Sequence, residues 1–574
     1  MRSGSSHWGG ASGSRPHRSR WHAIIPGAAC PGPFSVRCPP SAVHGLNVPR
    51  SPGSLGIAAL ALVTLPLLEF RPAAAYVALM AGQRARALNG SFNNVPVLHS
   101  NQPEEVEGPG ILINTAPGQA LAAETGQWLR NAEFTFNGEF GLHLHHKYYP
   151  PSRGAGGVGG RRPELTLATV LINPGVQPVH IRFQTGAVRN SFEAPYLANN
   201  LMGVKPLGVR PWNTGPGDAT AVQMLRGRLD PRLSEEITIP ARSRLVLFST
   251  RLPALGIANA LLRGHSDGPF QMAVVAAKRD GSDDEVLAVL DSGQLAPGRV
   301  YLARIPEINN RSIFSRVGGV ALGDAYRAGL QHDLVRQGPL HVPLTSTNRH
   351  EFGTGEVQVN PLVSRMIDSS LDNVGTYGVR FDLDLRLAGN GPYELVMSHP
   401  SPSGGQDFTA FRGSLEILTP EGRQDVHVGL RSGQSLSLAS LQLQPGVISS
   451  VKVSMVYPAD ATPGHLLSVV PASQLARLRE RERQLELARL SQPATAPASP
   501  PPPPAGTGAT AGRGDGSLRP LIPPPYLPSS PPVRPLRPSL PLVAPPPVTG
   551  NDYVDRYRRA IDAQRRQMQG WPQP

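Results

Sequence analysis

The residues best suited to chemistry lie in one short stretch, Glu139-Phe140-Gly141-Leu142-His143-Leu144-His145-His146. On a β-strand every second side chain shares a face, so an extended conformation here aligns Glu139, His143 and His145. Two imidazoles two residues apart on a strand can chelate one divalent metal, and a distant histidine such as His99, His180 or His399 would complete three ligands. Glu139, His143 and His145 are therefore the candidate metal site. The same spacing on a wet strand also serves plain solvated or hydrogen-bonded side chains.

Other motifs carry less. Gly154-x-Gly156-x-x-Gly159 spells a dinucleotide-binding string, but Arg161-Arg162-Pro163 and a strand-like Leu165-Thr166-Leu167 follow it. The mechanism needs a helix opening at the last glycine, so this segment reads as a loop. A Gly-x-Ser-x-Gly nucleophile elbow set on a strand-turn-helix does not appear, and Asp382 and Asp384 alternate with Arg380 and Arg386 as compensated surface charge. Catalytic residues are not assigned. Aromatic residues near turns, above all Tyr196, Trp212, Tyr377 and Tyr393, are candidates for a carbohydrate-stacking platform.

The elements that must hold these residues are strands. From about Ala87 to Ala472, stretches of alternating apolar side chains are separated by turns rich in Gly, Pro, Asn and Asp. In Tyr377 to Leu387, Val379, Phe381, Leu383, Leu385 and Leu387 point one way and the charged residues the other. The fold class expected is mainly β: an antiparallel β-sandwich or jelly-roll-like body, in two units, followed by a helical and Pro-rich disordered tail. The divisions are residues 1–75 as an N-terminal extension with a signal peptide, 88–306 and 311–470 as two β-rich domains, 473–490 as a charged helix, 491–550 as a linker and 551–569 as a basic helix. The linker holds 20 prolines in 60 positions, which favours an extended polyproline-II-like arm.

Charge follows the same divisions. The net charge is +14 over 574 residues, from 55 Lys and Arg against 41 Asp and Glu. Residues 1–75 hold seven Arg and one acid, residues 474–574 fourteen Arg and seven acids, and the stretch between is nearly neutral. A neutral body argues against nucleic acid as a partner. The basic terminal helix, with Val554, Tyr557 and Ile561 as its apolar stripe, could touch an anionic surface.

Leu55 to Leu68 (LGIAALALVTLPLL) is an uncharged run preceded by Arg50 and followed by Ala73-Ala74-Ala75, the layout of a secretory signal. It is short for a membrane span and contains Pro66. About fifty residues precede it, so a later translation start, as at Val43 or Val48, is one explanation. Both cysteines, Cys30 and Cys38, precede the expected cleavage, which leaves a mature chain without disulfides or thiolate chemistry.

Several segments together resemble a family of exported cyanobacterial proteins known only as a domain of unknown function. They include FNNVPVLHSNQPEEVEGPGILINTAPG (Phe92 to Gly118), EFTFNGEFGLHLHH (Glu133 to His146), LATVLINPGVQPVHI (Leu167 to Ile181), NRHEFGTGEVQVNP (Asn348 to Pro361), YGVRFDLDLRLAGNGPYELVMSHPS (Tyr377 to Ser401) and VYPADATPGHLLSVV (Val456 to Val470). The resemblance covers about Leu88 to Val470 and implies an envelope location, in the periplasm, outer envelope or outside the cell. It supplies no activity. The expected function is a non-enzymatic, exported, structural or adhesive protein whose partner is a cell-envelope component. The alternatives are a polysaccharide-binding protein and a metal-dependent enzyme on the His-x-His strand.

Overall fold

A computed structural model of the chain describes residues 84–151, 163–197, 202–208, 214–313, 315–348, 350–399, 409–431, 433–459 and 461–491. The signal-like run, both cysteines, Gly154 to Gly159, Trp212, the Pro-rich segment and the basic terminal helix lie outside the described residues.

Strand alternation predicted from the sequence is present. In Arg380–Ala388 the residues Phe381, Leu383, Leu385 and Leu387 are buried, while Arg380 pairs with Asp382 at 2.9 Å on the opposite face. The hydroxyls of Ser454 and Ser450 donate to Asp382 and Asp384 at 2.7 Å each, so these acids are compensated as expected.

The strands build two cores. The first lies within a ten-stranded system whose path runs Glu236–Ile239, Val179–Asn190, Ile257–Lys278, Phe136–Tyr148, Pro96–Val106, Val317–Leu322 and Leu362–Arg365. Ile257–Lys278 is a long strand that serves two neighbourhoods. Its first half pairs with Phe136–Tyr148 and Val179–Asn190, and its second half with Glu164–Asn173 and Gly110–Asn114. The register breaks between Ser266 and Phe270, where Gly268 and Pro269 interrupt the ladder because proline has no amide hydrogen to donate. The folded-over strand encloses Phe136, Phe140 and Phe270, with the Phe270 ring centroid 5.6 and 4.9 Å from the other two. Burying each such ring contributes about 1.5–3 kcal/mol. The helix Asp283–Asp291 covers the second half, its N-terminus closed by a Ser282/Glu285 capping box.

The second core lies between a seven-stranded sheet and a four-stranded one. The first runs Ser91–Phe92, Ala325–Asp333, Arg380–Ala388, Ile448–Val456, Thr409–Thr419, Gly422–Arg431, Gly203–Pro206, and the second Leu340–Leu344, His465–Pro471, Gly391–Ser398, Ser435–Leu443. Among the described strands, two pairings depart from the antiparallel expectation: Pro96–Val106 runs parallel to Phe136–Tyr148, and Ala325–Asp333 parallel to Arg380–Ala388. Each is joined by a long connection, as parallel neighbours require.

The cores do not follow the two halves of the sequence. Val317–Leu322 and Leu362–Arg365 belong to the first sheet system although they lie beyond residue 311, and Gly203–Pro206 closes the edge of the second. Backbone pairing of an open edge decides this, and it links segments more than 200 residues apart.

The helix Pro216–Leu225 packs against Val179–Asn190 and Ile257–Lys278 on one side and against Thr409–Thr419 and Ile448–Val456 on the other. Nine of its ten residues are buried. Its small Gly217, Ala219 and Ala221 let two sheet faces approach, and Ala221, Leu225, Leu261 and Val456 form a small apolar cluster there. The charged helix expected at 473–490 is present as Ala472–Ser491. Leu475 packs on Val396 and Val470, whereas Leu485 and Leu487 stay exposed.

Candidate functional site

The strand Phe136–Tyr148 places Glu139, His143 and His145 on one face, which is covered at His143 and His145 and partly open at Glu139. The parallel register sets His99 beside His143, with their Nδ1 atoms 3.2 Å apart. One ring donates and the other accepts, which requires the accepting ring to carry an unprotonated Nδ1. Asn259, its amide turned to donate to His145 Nδ1 and to the Leu144 carbonyl at 2.9 Å each, accepts from the Thr220 hydroxyl at 2.5 Å. His146, on the opposite face, meets the Ser100 hydroxyl through Nε2 at 2.8 Å.

Burial makes His99, His143 and His146 poor bases. It pushes His99 down to about 3 and holds His143 well below the ordinary histidine range, with His99, His145 and His146 adding to the effect. His146 is lowered likewise by burial and then by the charge of Arg316. Backbone comes close at Gly378, whose φ is +77°. A Cβ there would stand 2.9 Å from Leu261 Cδ2 and 3.4 Å from His143 Cβ.

The three residues named from the sequence therefore share a face without sharing a ligand position. Glu139 is four residues from His143, about 13 Å along a strand, too far for both to touch one ion. Its carboxylate meets Gln184 Nε2 at 3.1 Å, His265 Nδ1 at 3.3 Å and Arg263 Nε at 3.5 Å. Of the distant histidines, His180 faces Thr238 at 2.9 Å and the His399 ring lies 4.8 Å from that of His465, while His99 does join His143. Among the described residues no three His, Cys, Asp or Glu side chains stand close enough to hold one ion.

The tyrosines expected to form a stacking platform are buried. Each ring lies against a glycine at a turn, where a Cβ would collide: Tyr196 on Gly215 at 2.1 Å, Tyr377 on Gly375 at 2.0 Å and Tyr393 on Gly389 at 3.0 Å. The Arg412 guanidinium lies 4.1 Å over Tyr196, and Tyr377 stacks on Tyr457 at 6.1 Å. The turn glycines draw the rings inward, so these three do not form an exposed platform.

Sequence reasoning missed a second polar centre. At the start of Pro216–Leu225, Asp218 accepts from Thr214 Oγ1 at 2.6 Å and Ser414 Oγ at 3.0 Å, and His427 Nδ1 lies 3.1 Å away. Ser, His and Asp together suggest acyl-transfer chemistry, but the geometry differs from it. The serine must face the nitrogen remote from the aspartate, whereas Ser414 lies on the Nδ1 side, 3.5 Å away, with its hydroxyl committed to Asp218. All three side chains are buried, and the acid at the first helical turn also satisfies the helix dipole. No sequence signal unites them, since they come from three separated segments.

On the surface, an open groove of about 380 Å³ runs between the loop Asp230–Leu233 and the Thr250–Arg251 end of Ser243–Pro253. Asp230 is held by Arg189 and Arg232, and Arg232 also reaches Glu193 at 2.5 Å. Burial pushes the Asp230 carboxyl up, but Arg232 and Arg189 outweigh it and hold it below its ordinary value.

Residues 83–471 match the family described as a protein of unknown function, DUF3370. The chain belongs to this family. The matched span runs from ahead of the first described strand to the end of His465–Pro471, so the DUF3370 region takes in both cores. No curated protein matches the chain. Among solved structures, a Paenibacillus xanthan lyase is similar at 9% identity with a TM-score of 0.14. The similarity covers 64% of this chain and 27% of that one, so the chain spans about a quarter of that enzyme's length. A TM-score at that level does not establish a common fold.

Proposed function

We propose that this DUF3370 protein is an exported, non-enzymatic component of the cell envelope with a structural or adhesive role. The observation that carries the reading is the use made of the chemistry-bearing side chains. His99, His143, His145, His146, Asp218, Ser414 and His427 are buried and each contacts another of them or Ser100, Asn259 or Thr214, although one ring nitrogen of each of His99, His143, His146 and His427 is buried without a hydrogen-bond partner. The Asp218 contacts and the His145, Asn259, Thr220 chain fasten sheet to helix, and the His99–His143 and His146–Ser100 contacts join strand to strand. Support for export comes from the signal-like Leu55 to Leu68 run ahead of the β-rich body and from cysteines confined to the segment before it.

The test is mass spectrometry of the mature N-terminus together with fractionation of the source cells. The expected result is a start near Tyr76 and recovery with the envelope or the medium. A chain that retains residues 1–50 and fractionates with the cytosol refutes export.

A further inference from the structure

We infer that the groove at Asp230, Arg232 and Arg251 binds a neutral saccharide segment. The inference rests on the adhesive reading above and names the chemistry of the contact. The groove volume, about 380 Å³, falls within the ordinary range for small-ligand sites, and its open side admits a stretch of a longer chain.

Its wall is built of planar polar groups held in place before any ligand arrives. Arg232 is fixed by Asp230 at 3.0 Å and Glu193 at 2.5 Å, and Arg251 by Glu164 at 2.7 Å. Both guanidinium groups remain about half exposed, so donors stay available to hydroxyl oxygens while the carboxylates accept from hydroxyl hydrogens. Groups already ordered by their ion pairs lose little freedom on binding. Asn190 donates to Thr250 Oγ1 at 3.2 Å and extends the same wall.

Charge decides the ligand class. Along the groove the carboxylates Glu164, Glu193, Asp230 and Asp280 are matched by ion pairs from Arg189, Arg232, Arg251 and Arg279, so no net charge is left to attract a phosphate, a sulfate or a uronate. A ligand rich in hydroxyls and without net charge suits alternating donors and acceptors. The apolar requirement is met by Phe192, 49% exposed beside the groove residue Arg251, whose guanidinium lies 4.8 Å over one face of the ring and leaves the other to take the C–H face of a pyranose.

The experiment is calorimetric titration of the full-length protein with neutral hexasaccharides of glucose, mannose and galactose, and with a galacturonate hexamer as the acidic probe. Phe192→Ala and Arg232→Gln are titrated alongside, each checked for unchanged thermal unfolding. The expected result is that a neutral hexasaccharide binds more tightly than the galacturonate and that Phe192→Ala weakens it about tenfold. The inference is overturned if no neutral probe binds at millimolar concentration, if the acidic probe is preferred, or if stably folded variants bind unchanged. Co-sedimentation with envelope fragments separates the two readings. Sedimentation that persists in both variants retains the adhesive role and refutes the groove, and wild-type protein that does not sediment refutes the adhesive role.

Discussion

Lowering the pH from 7 to 5 should loosen this protein through its buried histidines. His99 is held at about 3 and His341 at about 4, each chiefly by burial, while the unfolded chain titrates both near 6.5. Native pKa values below the unfolded value mean that the unfolded chain takes up protons the native state refuses. The stabilisation is therefore complete above about pH 6.5 and is lost as the pH falls toward 4 and then 3. At pH 5 the unfolded state gains about 2 kcal/mol from each of these two residues, about 4 kcal/mol together. His143, His146 and His465 are shifted in the same direction by the same cause. That loss is a large share of the 5–15 kcal/mol typical of folded proteins. Carboxylates act in a different window, since Asp230 and Asp368 are lowered from 3.8 and their contribution is lost only below that value. The assay is thermal unfolding of the full-length protein from pH 7.5 to 4.5 at constant ionic strength. The melting temperature should fall by about 4 °C or more between pH 7 and 5, at about 1 °C per kcal/mol for a body of this size. His99→Gln should flatten the slope by about one proton's share. A constant melting temperature down to pH 5, or an unaltered slope in the variant, would refute the assignment.

Two further outcomes are expected. Asp368 is fully buried between Arg299 at 2.8 Å and Arg316 at 3.3 Å, so Asp368→Asn should cost about 3–5 kcal/mol by leaving two guanidinium groups uncompensated, measured as a shifted urea midpoint. Elemental analysis of purified protein should find less than stoichiometric divalent metal, and one equivalent that disappears in the His143→Ala/His145→Ala double variant would restore the metal reading.

How much was legible in the sequence depends on the distance over which each contact is made. The alternation in Arg380–Ala388 is local, and both its buried face and its compensated charges follow from the pattern alone. The common face of Glu139, His143 and His145 was readable for the same reason. The burial of His143 and His145 was not, because the cover comes from Tyr377 and Gly378 and, through Asn259, from Thr220, far along the chain, and a His-x-His strand looks wet until something lies on it. The tyrosines misled because proximity to a turn suggests exposure, whereas a glycine at the turn gives a ring room to fold back against the backbone. The Asp218, Ser414 and His427 centre required three segments to be brought together, and no spacing rule reaches so far.

The exchange of strands between the two cores also sets an order of events in time. Whichever end of the chain becomes available first, the strand Pro96–Val106 lacks its outer neighbour until Val317–Leu322 arrives, and Gly203–Pro206 waits for Gly422–Arg431. Loops of some two hundred residues must close before either pairing is rewarded, which places most of the entropic loss ahead of the gain. Neither core can be finished early and left to stand while the rest is made. The body is therefore a single late-closing unit, in which a chain truncated at residue 306 lacks part of the sheet that its own first half began.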